Sequence, residues 1–285
     1  MPGFEQSTTE AHRPRLGSPW VYFAATYAIT WGFWVSAIAL DVSFDTALGT
    51  VLLLVGLAGP AVAGIALVYL VYGERGRADF WNRVKQVRRV GVRWFLVILA
   101  VPVGVTVVAA IADILLGGPG VEFGEAVTEF PLATLPTLFI STLPPLLEEL
   151  GWRGYALDRL QMDWSALNAS LLLGVVWAAW HLPLFFIRGS FHYEVVGFLT
   201  VGFWLFNIGV VALSVLFTWV YNHTARSIIG IILLHGWVNF VSDTIEVADE
   251  FYYPVWVLLA ILLVGIWGAK TLTNADELSL PPVDS

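Results

Sequence analysis

From Thr46 to Gly73 the chain carries no charged side chain. A run of about 18 or more apolar residues reads as a helix that crosses a bilayer. The pattern recurs at Trp20–Leu40, Trp94–Leu116, Leu132–Leu150, Ala166–Ile187, Val195–Tyr221, Ser227–Ile245 and Pro254–Ala269, with Thr46–Tyr72 the second in order. Composition agrees: 58% of the 285 residues are hydrophobic and 13% charged, whereas soluble domains carry about 25% charged residues. The fold class expected is all-α, a polytopic transmembrane helical bundle of about eight spans.

Several function classes drop out. There is no cysteine, hence no disulfide framework, no Cys-based zinc site and no thiol nucleophile. The net charge of −8 is spread over loops and tails, and no basic stripe suggests nucleic acid. The segment through Pro19 is polar, and the first apolar run lacks a small-residue cleavage signature, so no removable signal peptide is expected. With no internal repeat and no low-complexity linker, the chain divides into a tail (1–19), N-terminal membrane helices with a basic loop at 74–93 (20–130), a core (131–245), and a last helix with its tail (246–285).

Positive residues set orientation. Arg75, Arg77, Arg83, Lys85, Arg88, Arg89 and Arg93 fall in one loop and make up half of the 14 Lys and Arg. That loop should be cytoplasmic. Both termini, with Arg13, Arg15 and Lys270, then share its side of a cell membrane. The opposite side receives Asp41, Asp45, Glu122, Glu125, Glu129, Glu246, Asp249 and Glu250; only Arg188 breaks the pattern.

Ionisable residues inside a span are expensive and point to function. Three groups stand out. In Glu148-Glu149-Leu150-Gly151-Trp152-Arg153, adjacent carboxylates differ by about 100° around a helix and point to different faces. Glu149 and Arg153, four apart, share one face and can form an ion pair, which frees Glu148 to face the bundle interior. Otherwise both glutamates are solvated at the interface. The second group is His181, four residues after Trp177, where Pro183 should disturb the helix and free backbone groups that need a polar lining; a lone histidine among aromatics can equally be a packing residue. The third is His235 and Asn239, four apart on one face, which could merely join helices. Asn168, Asn207, Asp113 and Asp243, and His192 and His223 in expected loops, read as structural.

Depth links the groups. Taking a turn near Met162, a rise of about 1.5 Å per residue puts Glu148 about 21 Å before it and His181 about 28 Å after it. His235 and Asn239 lie about 14 and 20 Å beyond Arg226 by the same rise. Convergence on one cavity is the simplest account.

A glutamate and a histidine in one cavity can share a water: the carboxylate takes its proton while the imidazole orients it. A second histidine and a carboxamide can donate to the oxyanion of a tetrahedral intermediate. Together these describe amide hydrolysis. No serine or threonine is placed beside a base, so a covalent route lacks support. Glu148, His181 and His235 also form a two-His, one-Glu set suited to catalytic zinc, although there is no HExxH helix and no carboxylate is evident behind either histidine. A cofactor-free and a zinc-dependent hydrolase therefore both fit. So does a proton- or ion-coupled carrier in which the same residues relay protons, but the paired broken helices and inverted repeats expected of one are missing.

The order Glu-Glu-x-x-x-Arg, an aromatic four before a histidine, then His-x-x-x-Asn, resembles the CPBP family of intramembrane proteases. That family includes the type II CAAX prenyl endopeptidases (Rce1-like) and the abortive-infection and bacteriocin-immunity proteins. The resemblance spans Leu132 to Asp243. It implies Glu148 as general base, His181 as its partner on the water, His235 and Asn239 as the oxyanion site, and Glu149 and Arg153 in support. Trp177 stands where the family usually has Phe, and its packing role should survive. The implied partners are membrane lipid and a peptide or lipid-modified protein, with C-terminal prenylated CAAX sequences the family's best-known substrates. A non-catalytic immunity or scaffold role is a further alternative, against which the complete quartet argues.

Overall fold

The computed structural model describes residues 16–130 and 132–278. Arg13, Arg15 and most of the expected N-terminal tail lie outside the described residues, as does the chain end from 279.

The helices are α1 (Pro19–Ala39), α2 (Ala47–Leu57), α3 (Gly59–Val71), α4 (Glu74–Lys85), α5 (Gly91–Leu115), α6 (Glu125–Thr128), α7 (Thr134–Gly151), α8 (Leu157–Gln161), α9 (Ala166–Trp180), α10 (Val201–His223), α11 (Ile228–Thr244) and α12 (Asp249–Trp267). Their starts are written in the sequence. Ser18, Thr46, Ser165, Thr200 and Ser227 each turn a side-chain oxygen onto a first-turn amide of α1, α2, α9, α10 and α11. An N-terminal cap of this kind is worth about 1 kcal/mol.

Six helical stretches are long and apolar enough to cross a membrane: Pro19–Ala39, Ala47–Val71, Gly91–Leu115, Ala166–Phe186, Val201–His223 and Asp249–Trp267. The protein is a multi-pass helical membrane protein. The other two expected spans, α7 and α11, are set apart by their polar content and by the shorter length of α11. The second expected span is broken at Ala58, where Pro60 falls in the first turn of α3. Proline has no amide hydrogen to continue the ladder and is at home there. The basic loop is not irregular: it folds into the amphipathic helix α4, whose Phe80 and Arg83 are buried. His223, expected in a loop, closes α10 instead and packs its ring against Trp94, Trp219 and Trp267.

Large apolar side chains on the outward faces of α1, α5 and α12, such as Val35, Val108 and Ile266, are exposed, as a lipid-facing surface requires. The core lies where α7 meets α3 and α11. A Cβ on Gly64 would come within 2.8 Å of the Gly151 Cα, and one on Gly151 would collide with the Pro60 carbonyl and the Tyr22 hydroxyl. Small residues let helix backbones approach closely in a membrane. Gly151 follows Glu148, Glu149 and Leu150 directly, so this contact fixes the end of α7 that carries both carboxylates. A two-residue antiparallel ladder, β1 (Glu122–Phe123) with β2 (Ile245–Glu246), ties the segment between α5 and α6 to the end of α11.

Candidate active site

After Gly151 the helix widens into a π-helical turn, Trp152–Ala156, before continuing as α8. Such single turns occur often at functional sites. The expected divergence of the two glutamates is realised. Glu149 meets Arg153, whose Nη1 lies 2.9 and 3.0 Å from its two carboxylate oxygens. Glu148 faces the other way and accepts a hydrogen bond from the Trp177 indole N–H at 2.6 Å.

Helix α9 ends at Trp180, and a 3-10 turn, Leu182–Phe186, takes over with Pro183 in its first turn. His181 sits at that junction. Its Nδ1 is 2.8 Å from the Trp177 carbonyl oxygen. A carbonyl only accepts, so Nδ1 carries the proton and Nε2 presents a lone pair. On α11, the His235 Nδ1 is 2.9 Å from Glu149 Oε1. This is the carboxylate behind a histidine that the sequence did not reveal, and its signal is absent from any local spacing because 86 residues separate the pair.

Trp177 stands in the middle. Its ring centroid is 5.2 Å from that of His235 and 6.0 Å from that of His181. The Arg153 guanidinium lies over it at 4.7 Å and over Phe217 at 4.8 Å. Thus Glu148, Glu149, Arg153, Trp177, His181 and His235 form one connected group. Asn239 joins it indirectly, donating from Nδ2 to the Ser141 carbonyl on α7 at 3.3 Å, while the Ser141 hydroxyl donates to Asp243 at 2.7 Å. Asp243 keeps the structural part read for it, but inside the site: residues 235, 239 and 243 descend one face of α11 at helical spacing.

One neighbour was missed. His192, read as a loop residue, lies in a second π-helical turn, His192–Val196, and its ring stacks on His181 at 5.3 Å and 25°. Phe206 and Phe185 close around it. Nothing in the local sequence distinguishes it from an ordinary polar loop residue.

The two imidazoles, each held at Nδ1, leave Nε2 free, which is how histidines are held behind a metal. The third requirement fails. Among the described residues no three His, Asp or Glu side chains converge closely enough to hold one ion. Glu148, His181 and His235 do not fit a bound zinc in this arrangement.

Glu149 and Arg153 are fully enclosed, and Glu148, His181 and His235 are buried with 4%, 9% and 6% of their surface exposed; Asn239 is half-buried.

Residues 130–241 match the family model of the type II CAAX prenyl endopeptidases, Rce1-like. The resemblance carried by the three motifs is therefore shown. Over 236 residues the chain is also 27% identical to the CAAX prenyl protease 2 of Methanococcus maripaludis, an alignment covering 82% of this chain and 87% of that protein. The Rce1-like segment runs from the start of α7 through most of α11 and holds every residue of the connected group. It supports an intramembrane protease.

Proposed function

We propose that the protein is an intramembrane endopeptidase that hydrolyses a peptide bond with a glutamate-activated water, acting on C-terminal prenylated CAAX-type peptides. The observation that carries this reading is the convergence of Glu148, His181 and His235 on Trp177. Behind them Glu149, fully enclosed and paired with Arg153, holds the His235 ring.

The chemistry follows from the hydrogen bonds. The His181 Nε2 lone pair accepts from a water and orients it. Glu148, held at one oxygen by Trp177, takes the water proton as the oxygen attacks the scissile carbonyl carbon. The carbonyl π electrons move to its oxygen, and His235 and the Asn239 amide stabilise the resulting oxyanion. For His235 to donate from Nε2 while Nδ1 faces Glu149, its ring must be an imidazolium. The charges allow this: Glu148 and Glu149 offset Arg153 and His235, and the group is neutral as a whole. Collapse of the intermediate breaks the C–N bond, and Glu148 returns its proton to the leaving amine. The bound peptide would approach from the side of the basic helix α4, which the positive residues make cytoplasmic.

The test is cleavage of a quenched fluorescent prenylated CAAX peptide by detergent-purified protein. Wild type, Glu148→Ala and His235→Ala run side by side, with and without a strong chelator. Cleavage lost in both variants and indifferent to chelator is the expected result. Loss with chelator and recovery with zinc would move the reaction to a metalloprotease, and no cleavage by folded wild type would remove the CAAX substrate.

A further inference from the structure

At the end of the bundle that carries α4, two buried arginines pair with two aspartates and a third lies beside them. Asp158 on α8 accepts from the Tyr221 hydroxyl at Oδ1 and from Arg83 and Arg226 at Oδ2; Asp79 pairs with the same two arginines. Every carboxylate there is committed. The third arginine, Arg159, is only 8% exposed, yet it has no acidic partner among the described residues. Its guanidinium lies over the rings of Tyr72 at 4.7 Å and Tyr155 at 5.5 Å. Its Nε and Nη2 and both tyrosine hydroxyls are enclosed, and the guanidinium is the polar neighbour of each hydroxyl.

A buried cation without a counter-charge is costly, several kcal/mol in typical proteins, and contact with aromatic faces offsets only part of that, about 2 kcal/mol when desolvated. The remaining nitrogen, Nη1, is the one not enclosed. It points to the rim, where it lies 3.5 Å from the position of a Cβ on Gly17. Leu16 and Trp20 are exposed on that rim, a placement that suits the membrane–water interface.

We propose that Arg159, oriented by Tyr72 and Tyr155, forms with its accessible Nη1 an anion site at this interface that takes a phosphate group, supplied by the headgroup of an anionic lipid. Guanidinium is the side chain best matched to phosphate oxygens, and the two tyrosines hold it in place. The exposed Lys85 and Arg88 attract anionic surfaces generally, but they are solvated, whereas Arg159 is buried and pairs with no carboxylate among the described residues.

The test reads thermal unfolding of the full chain in neutral detergent by tryptophan fluorescence. Dioleoyl phosphatidylglycerol, dioleoyl phosphatidylcholine and inorganic phosphate are titrated separately. Phosphatidylglycerol should raise the apparent Tm by about 2–4 °C, and phosphatidylcholine should not. Arg159→Gln should lose the shift while the paired Lys85→Gln/Arg88→Gln variant keeps it. Tyr72→Phe should halve the shift, and it serves as the readout if Arg159→Gln fails to fold. A full shift from inorganic phosphate alone would keep the site and change the source of its anion. A shift retained in Arg159→Gln or in Tyr72→Phe, or no shift of wild type by either anion, overturns the proposal.

Discussion

The molecule contains two buried ionic clusters, and they are built on opposite plans. At the α4 end, Asp158 receives three donors, from Tyr221, Arg83 and Arg226. Its charge is consumed by the fold. It joins α4, α8 and the α10–α11 turn, and Arg83 also reaches the Gly154 carbonyl in the π-helical turn. In mid-bundle, Glu148 receives one donor among the described residues, the Trp177 indole. Its capacity is held in reserve. A saturated carboxylate fastens; an unsaturated one that stays reachable can act on something brought to it. The two lie on the same continuous rod, α7 through α8, and the π-helical turn between them hands the face of the helix from one purpose to the other.

The sharpest way to break this comparison is Glu148→Gln. The shape is preserved and the acceptor for the Trp177 N–H remains, but the base is gone. Cleavage should fall by about 10²- to 10⁴-fold, the usual worth of a positioned general base, with the unfolding temperature unchanged or raised. Rates close to wild type would show that Glu148 is as structural as Asp158.

Asp158→Ala is the converse and the next largest in free energy. Removing one partner of a buried ionic network costs about 3–5 kcal/mol because the opposite charges stay behind. The expected result is a lower unfolding temperature in detergent, with cleavage per folded molecule close to wild type. A rate that collapses while stability holds would make the α4 cluster part of the site and erase the distinction.

The two clusters were not equally legible. The mid-bundle residues announced themselves because charge in an apolar run has no innocent default. Glu149 and Arg153, and His235 and Asn239, sit at the four-residue spacing that places them on one helical face. What spacing could not give were contacts between helices: the Glu149–His235 pair and the stacking of His192 on His181 depend on how α7, α9 and α11 are set against one another. The Asp158 cluster was illegible for a different reason. Arg83 stands in a basic loop and Asp158 next to Arg159, where solvated charges are ordinary, and only the folding of α4 onto the bundle buries them. The fold itself was written more plainly. Six of the eight apolar runs correspond to helical stretches long and apolar enough to cross a membrane, while the break at Ala58 and the helical nature of residues 74–85 had to come from packing.

The smallest expected effect is the most discriminating. Phenylalanine keeps an aromatic ring at this position, so the ring contacts of Trp177 with Arg153, Phe217 and His235 would be largely kept in Trp177→Phe. Only the N–H donated to Glu148 is lost. A hydrogen bond to a charged group is worth about 1.5–3 kcal/mol. If that bond aims the free Glu148 oxygen at the water, kcat should fall by about 10- to 100-fold while KM is unchanged, because peptide binding does not pass through the indole nitrogen. A change in KM alone would mean that Trp177 shapes the cavity wall. No change in either would mean that the ring suffices and that the single donor to Glu148 is incidental. The contrast with Asp158 would then rest on exposure alone: a carboxylate that nothing needs to orient, kept reactive because the bundle leaves it within reach of water.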